Sequence, residues 1–571
     1  MARSPLLSAL RRLLAQHSAS RATGIPMDEL RGMRAEARAQ ALLTRREWLA
    51  GAAALAAGAA LPGGLACTTT KDKTKPRIAI VGGGISGLSA ALTLADAGYP
   101  STVYEISAAQ VGGRMISQRV GQTTACGVCH LPPSSAKDMA FDDGQVVDLY
   151  GELIDTDHET IQALAKRFGL TLTDALGSEP AGATETYWFG GGYYKEADVL
   201  KDFAAIYDAL QKDTTDADTT TYNQSTAAGK VLDNMTIAQW IDSRVPGGRK
   251  SRLGSLLEVA YVIEYGAEAT DLSALELTSM LSSSAVDAFS VFGASDERFR
   301  IQGGNQQIPL AIASHLGLGS AVKLGWEFQS IRSAAGNTYT LTFDVDGTTK
   351  TVTADYVVLA LPFTKLRTLD FAKAGFDALK TKAIQEQGGG RNGKIQMQFK
   401  SRLWNTQGPW GLSGGTVYAD NGAQLAWDPS RGQPGTSGIL VGYTGGDRTN
   451  QLKIQHPYGN NTNPDVVADA QAFLAQLEPI FPGLTAQWNG KVSETLAHLD
   501  PRFNCSYSYW KPGQASTFGG YERVRQGNVF FCGEHTSVDY LGFMEGAASE
   551  GVRAGKEMVT AIAVAGSGGK D

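Results

Sequence analysis

The 571-residue sequence lacks an internal repeat at any solenoid period, which excludes a stacked-repeat architecture. It also lacks a long apolar run. The most apolar stretch, residues 49–66, is too short and too rich in Ala and Gly to read as a membrane span. An excess of basic charge is missing too: 51 Lys and Arg stand against 57 Asp and Glu, a net of −6. Residues 1–66 contribute +5 to that balance, so the remainder carries −11. An acidic body disfavours nucleic-acid binding and mildly favours cationic ligands. Cysteine is scarce, with Cys67, Cys126, Cys129, Cys505 and Cys532 the full set, too few to frame a fold of this size. No metal site is assigned.

What is present describes an ordinary globular chain, 43% hydrophobic and 19% charged, long enough for two or three domains. Glycine is abundant at 67 residues, many in Gly-Gly steps that mark tight turns and close backbone approaches. At the start, Thr44-Arg45-Arg46-Glu47-Trp48-Leu49 is a twin-arginine pattern ahead of an Ala-rich segment. Residues 1–66 are therefore expected to direct export by the twin-arginine route, to the periplasm or beyond the cell. That route fits a protein that takes up its cofactor before leaving the cytoplasm. Cys67 follows Gly64-Leu65-Ala66, with Leu one place from where a lipidation signal wants it. Simple cleavage and lipid anchoring at Cys67 both stay open. Cys126-Gly127-Val128-Cys129-His130 has the spacing of a c-type haem attachment. The stretch around it is too short to enclose a haem, so a disulfide or an incidental pair is the preferred reading.

Arg77-Ile78-Ala79-Ile80-Val81 reads as a buried strand, residues 88–97 as a helix ended by Gly98, and Thr102-Val103-Tyr104-Glu105 as the next strand. Residues 156–300 read as mostly helical, with Asp157 and Thr236 as N-caps and 212–230 as a surface loop. Residues 339–345 and 350–353 form a hairpin about Asp346-Gly347, and 356–361 and 394–445 read as strands. The end repeats strand, turn and helix, with the helix opening near Gly546.

Gly82, Gly84 and Gly87 give G-x-G-x-x-G between the first strand and the first helix. The first allows the tight turn, the second lets backbone approach a pyrophosphate, and the third lets helix pack on strand. Ser86 sits at the helix N-terminus, where the phosphates would lie. Glu105 ends the second strand 21 residues after Gly84, placed for the adenosine ribose hydroxyls. NAD and FAD share this much.

Gly112-Gly113-Arg114 follows shortly, and here the sequence resembles the flavin amine oxidases. The resemblance extends through Asp148-Leu149-Tyr150-Gly151-Glu152, Arg300-Ile301-Gln302-Gly303-Gly304-Asn305 and residues 354–362. It is most specific at Phe531-Cys532-Gly533-Glu534-His535-Thr536 and Gly542-Phe543-Met544-Glu545-Gly546-Ala547. It implies an α/β fold: a discontinuous FAD-binding Rossmann-like domain from residues 76–155, 300–370 and 495–562, with an interleaved α+β substrate-binding domain from 156–299 and 371–494. It further implies that Gly113 and Arg114 lie near the FAD pyrophosphate, Gly151 beneath the flavin, and Val322 beside the adenine. Gly533 and Glu534 would serve the ribityl or phosphate region. Met544 would open a helix whose N-terminus faces the flavin.

The resemblance also names candidates for the chemistry. Lys394, with Trp404 ten residues on, is similar to the family lysine that holds a water against flavin N5. Tyr507 and Phe543 would be the aromatic walls around the amine. Cys505 lies beside the position where some relatives tether FAD, so FAD is expected to be non-covalent with a thioether at Cys505 as the alternative. Glu152 falls where venom-type amino-acid oxidases carry an Arg for the substrate carboxylate, which favours an amine, with Glu152 as a substrate contact. The implied reaction oxidises an amine to an imine by hydride transfer to FAD, with oxygen reduced to hydrogen peroxide. An L-amino-acid oxidase, an amine dehydrogenase using a cytochrome, and a non-catalytic flavin-binding module are the rival readings. A homodimer is left open.

Overall fold

The computed structural model describes residues 75–118, 140–282, 284–293 and 295–567. The twin-arginine segment, Cys67 and the Cys126/Cys129/His130 group lie outside them. From Pro76 onward the described residues pack as one compact unit.

Ile78–Val81 is buried at every position, as an uninterrupted apolar run requires. It is the middle strand of a five-stranded parallel sheet, in the order Val529–Phe531, Tyr356–Leu359, Ile78–Val81, Thr102–Glu105 and Val322–Leu324. The helix Ile85–Asp96 follows the first strand, and the C-terminal helix Met544–Ser567 packs along it. Gly551 makes the approach close: an added Cβ there would meet the Ser86 carbonyl oxygen at 2.1 Å.

The second large element is an eight-stranded mixed sheet. Its order is Tyr458–Asn460, Trp488–Leu496, Asn392–Phe399, Gly438–Gly445, Gln424–Trp427, Ser413–Ala419, Thr184–Phe189 and Gly192–Tyr193. The helix Arg252–Tyr265 packs against its strands, as does Pro464–Leu477, whose Phe473 ring lies over Gly442. A smaller sheet holds the hairpin Thr338–Val345/Thr348–Ala354, turned by Asp346 and Gly347, both at positive φ (51° and 74°) as a two-residue turn demands. Among the described residues no helix is long and apolar enough to cross a membrane.

Two local expectations are corrected. Residues 212–230 are largely helical, in Tyr207–Ala217 and Ala227–Asn234, because Leu210, Ala217 and Leu232 bury against the core and Thr226 caps the second helix through Gly229 N–H (2.8 Å). The helix Glu159–Arg167 is not capped by Asp157; His158 occupies the N-cap position without a side-chain cap. Its free N–H groups at Thr160 and Ile161 donate instead to the Glu545 carboxylate, at 3.0 and 2.9 Å. The Thr236 cap is a full capping box with Gln239.

Candidate active site

One cavity, lined from both large sheets, holds about 1870 Å³ of space not filled by protein atoms, part of it open to solvent. Of the candidate site residues, all but Gly87, Val322 and Cys505 line it.

The three fingerprint glycines are glycines for different reasons. At Gly82 (φ 105°) an added Cβ would sit 2.7 Å from the Ala360 carbonyl oxygen, and at Gly87 one would sit 2.0 Å from the Gly82 oxygen. Protein packing dictates both. Gly84 has an ordinary φ of −73°, and the nearest atom to an added Cβ is 3.9 Å away. No protein contact requires glycine there, so the approach of a ligand is the remaining reason. The helix beginning at Ile85 has no side-chain cap and no acidic residue in its first turn, which leaves its N–H groups to an anion.

Glu105 reaches the wall with Oε2 accepting from Gly83 N–H (2.7 Å) and Oε1 from Ser107 N–H (2.9 Å). Burial pushes its pKa up, opposed by those two bonds. Arg114 pairs with Glu534 at 2.9 Å and donates to the Ser506 carbonyl at 2.7 Å. The other Glu534 oxygen accepts from the backbone N–H groups of Ser508 (3.3 Å) and Gly542 (3.0 Å). Glu534 thus ties three wall segments together.

Lys394 projects from the buried strand Asn392–Phe399. Its Nζ donates to Glu152 Oε2 (2.8 Å), the Tyr150 carbonyl (2.8 Å) and the Asp148 carbonyl (3.2 Å). The ammonium is thus a buried ion-pair partner of Glu152 within the cavity wall. The second Glu152 oxygen accepts from Trp427 Nε1 (3.1 Å), so each of its oxygens has a partner within the wall. Burial pushes the Glu152 pKa up, but Lys394, Arg300 and the Trp427 bond outweigh it and the net shift is downward. Beneath, Asp148 accepts from Ser117 and the Asn305 N–H, and Arg300 lies 3.7 Å from its other oxygen. Asn305 in turn donates to the carbonyls of Gly151 and Glu152.

Tyr507 donates its hydroxyl to the Ile263 carbonyl (3.1 Å) and lies 2.9 Å from the Tyr443 hydroxyl. Trp427 meets Tyr443 edge-on at 5.3 Å, and Phe543 stands edge-on to His158 at 5.6 Å. With Tyr418, these rings make an aromatic lobe beside the Lys394–Glu152 pair. Cys505 is fully buried off the cavity wall, its sulfur accepting from the Thr364 hydroxyl at 3.1 Å, while Ser506 and Tyr507 face the cavity. Val322 is corrected: its N–H bonds Gly317 (3.2 Å), its carbonyl accepts from Gly319 (2.8 Å), and its side chain is buried. Trp326, packed on Tyr104 at 5.1 Å, takes the wall position.

Residues 85–559 match the family described as flavin containing amine oxidoreductase. The chain belongs to this family. It is 23% identical to the flavin-containing amine oxidase of Danio rerio over 494 residues, 85% of this chain and 86% of that one. YobN of Bacillus subtilis, named as a candidate L-amino-acid oxidase, is 29% identical over 214 residues, 36% of this chain and 41% of that protein. Cyclohexylamine oxidase from Brevibacterium oxydans superposes with a TM-score of 0.69 at 21% identity, covering 86% of this chain and all of that one, a likeness of fold.

In this flavin amine oxidoreductase the fingerprint side of the cavity fits FAD: an uncapped helix start, an unexplained glycine, a carboxylate at the strand end and Arg114. Sequence reasoning missed Tyr443, Trp427 and Arg502, which also line the cavity. Arg502 is bidentate on Asp500, and its guanidinium stacks 4.9 Å from Phe503. A Trp or Tyr in a strand region carries no local signal of function. Only the register of Gln424–Trp427 and Gly438–Gly445, which sets Leu425 opposite Tyr443, brings the two rings to one wall. Asp155, Asp157 and His158 form the one group among the described residues with metal-ligand proximity. His158 Nδ1 accepts from the Asp155 N–H (3.0 Å), so a neutral ring carries its proton on Nε2, which then has no lone pair for a metal.

Proposed function

We propose that this protein oxidises an amine to an imine, which water then hydrolyses to an aldehyde and ammonia, using non-covalently bound FAD and oxygen. The observation that carries the reading is the meeting, in one cavity, of a ligand-shaped glycine loop with an aromatic lobe that holds no free arginine among the described residues. When bound, FAD supplies the two-electron acceptor, taking hydride from the carbon next to nitrogen and passing the electrons to oxygen as hydrogen peroxide. Gly82, Gly84, Ser86, Glu105, Arg114 and Glu534 would hold the cofactor. Tyr507, Phe543, Tyr443 and Trp427 would flank the amine with flat apolar faces, which exclude water and accept a cation by ring attraction. The Lys394–Glu152 pair fixes segment 148–152 and keeps its own charge balanced within the wall. The Cys505 thiol, bonded to Thr364 and off the wall, supports a cofactor without a thioether.

The test is anaerobic mixing of the purified holoprotein with a panel of primary amines, polyamines and α-amino acids, following loss of the oxidised-flavin absorbance. Bleaching by amines, with peroxide released on admitting air, is the expected result. Bleaching by α-amino acids alone overturns it. Mass spectrometry of the denatured protein is expected to release FAD intact. We also propose export by the twin-arginine route, supported by Arg45-Arg46 and tested by whether Arg45→Lys/Arg46→Lys retains the protein in the cytoplasm.

A further inference from the structure

The eight-stranded sheet carries a row of side chains to the cavity. Lys394 stands opposite Thr495 on one neighbouring strand and opposite Tyr443 on the other, and Tyr443 in turn stands opposite Leu425. Residues paired directly across strands point to the same face of a sheet, and all four line the cavity. Sheet register, not a loop, therefore places Tyr443, which is 8% exposed. Trp427 meets its ring edge-on, and the Tyr507 hydroxyl oxygen lies 2.9 Å from its own.

Counting protons fixes the direction of the hydrogen bonds in this group. A carbonyl oxygen accepts and never donates, so the 3.1 Å bond from Tyr507 to the Ile263 carbonyl takes the Tyr507 proton. The same carbonyl also accepts from Asn392 Nδ2 at 2.7 Å. With the Tyr507 proton spent, the bond between the two hydroxyls takes the proton of Tyr443. The indole proton of Trp427 goes to Glu152. Each donor of the three rings is thus turned to a protein acceptor. What Tyr443 retains is a lone pair on its oxygen, and among the described residues no donor fills it.

We propose that the Tyr443 oxygen accepts a hydrogen bond from the N–H of the substrate amine, which makes Tyr443 a specificity-determining residue that selects nitrogen bearing a hydrogen over nitrogen bearing none. Resting on the amine reading above, this contact adds one polar anchor to the flat walls of the lobe. It also suits the chemistry. The nitrogen lone pair supplies electrons as hydride leaves the neighbouring carbon, so it must stay unengaged. An acceptor of N–H leaves that lone pair alone, whereas a donor would hold it.

The experiment compares quinuclidinium, a rigid bicyclic ammonium with a single N–H, with N-methylquinuclidinium, which has none. Both are cations, and their nitrogen sits at a bridgehead where a double bond to carbon cannot form, so neither is oxidised. Each is measured as a competitive inhibitor of amine oxidation by the holoprotein. Wild type is expected to bind quinuclidinium about tenfold more tightly, the worth of a charge-assisted hydrogen bond. Tyr443→Phe is expected to bring the two affinities together, by weakening quinuclidinium and leaving N-methylquinuclidinium within about twofold of its wild-type value. The bulk of the added methyl group is the same in both proteins, so size alone does not give this result. Equal or undetectable inhibition in wild type, which needs no variant, overturns the inference and leaves amine oxidation standing. So does a preference that persists in Tyr443→Phe. Flavin bleached by α-amino acids alone overturns both.

Discussion

At the scale of single residues, the separation between what packing requires and what a ligand requires is sharpest at the glycine loop. Gly84→Ala meets no protein atom closer than 3.9 Å, so the cofactor-free fold is expected to keep its stability within about 1 kcal/mol while FAD affinity falls about tenfold or more. Melting of the apoprotein and FAD titration by fluorescence check the two halves. Gly87→Ala drives a methyl to 2.0 Å from the Gly82 oxygen and is expected to cost about 1–3 kcal/mol in the fold itself, read by the same melt. Equal behaviour of the two variants would refute the distinction. The Lys394–Glu152 pair gives the second test. Lys394→Met leaves a buried carboxylate with Trp427 as its one remaining side-chain donor, at an expected cost of about 3–5 kcal/mol, much of it recovered in the double variant with Glu152→Gln. Denaturant unfolding of the four proteins decides it. The fingerprint glycines were legible from spacing, and Arg114 from the resemblance that Gly112-Gly113-Arg114 carries. The pairing of Lys394 with Glu152 spans 242 residues, and no local pattern announces it.

At the scale of elements, a carboxylate can serve a helix other than its own. Glu545 lies in the first turn of the C-terminal helix yet caps Glu159–Arg167, which the sequence had assigned to Asp157. Glu545→Ala is expected to destabilise the protein by about 1–2 kcal/mol, measured by urea unfolding. Within Trp488–Leu496, Glu494 is fully buried and neither carboxylate oxygen has a partner among the described residues. Burial, reinforced by Asp469 and Asp465, raises its pKa to about 9. The folded protein therefore binds a proton that the unfolded chain releases near its ordinary value of about 4.3. Stability from this group is full below that value and declines as pH rises toward 9. Glu494→Gln should flatten the fall in melting temperature between pH 5 and 9, relative to wild type. A steeper fall would refute it. The strands and the hairpin at Asp346-Gly347 were readable because period and turn chemistry are local. The helices within 207–234 were not, because their Thr- and Asp-rich sequence has weak periodicity and owes its form to burial of Leu210 and Leu232.

At the scale of the molecule, the cavity wall joins segments from both large sheets, the glycine loop and the start of the C-terminal helix. A ligand bound there restrains all of them together, so FAD at a hundred times its Kd is expected to stabilise the whole unit by about 2.7 kcal/mol. Melting with and without added FAD checks the amount. Hydrogen exchange checks the extent, and protection confined to the glycine loop would contradict it. The order of the parallel sheet also bears on synthesis. Its outer strand Val529–Phe531 leaves the ribosome about 450 residues after Ile78–Val81, beside whose neighbour it must lie. At roughly 5–20 residues per second, the nascent chain carries an unfinished nucleotide site for tens of seconds. Chaperones would have to shield that open sheet edge throughout. FAD can close the site only after translation has nearly ended.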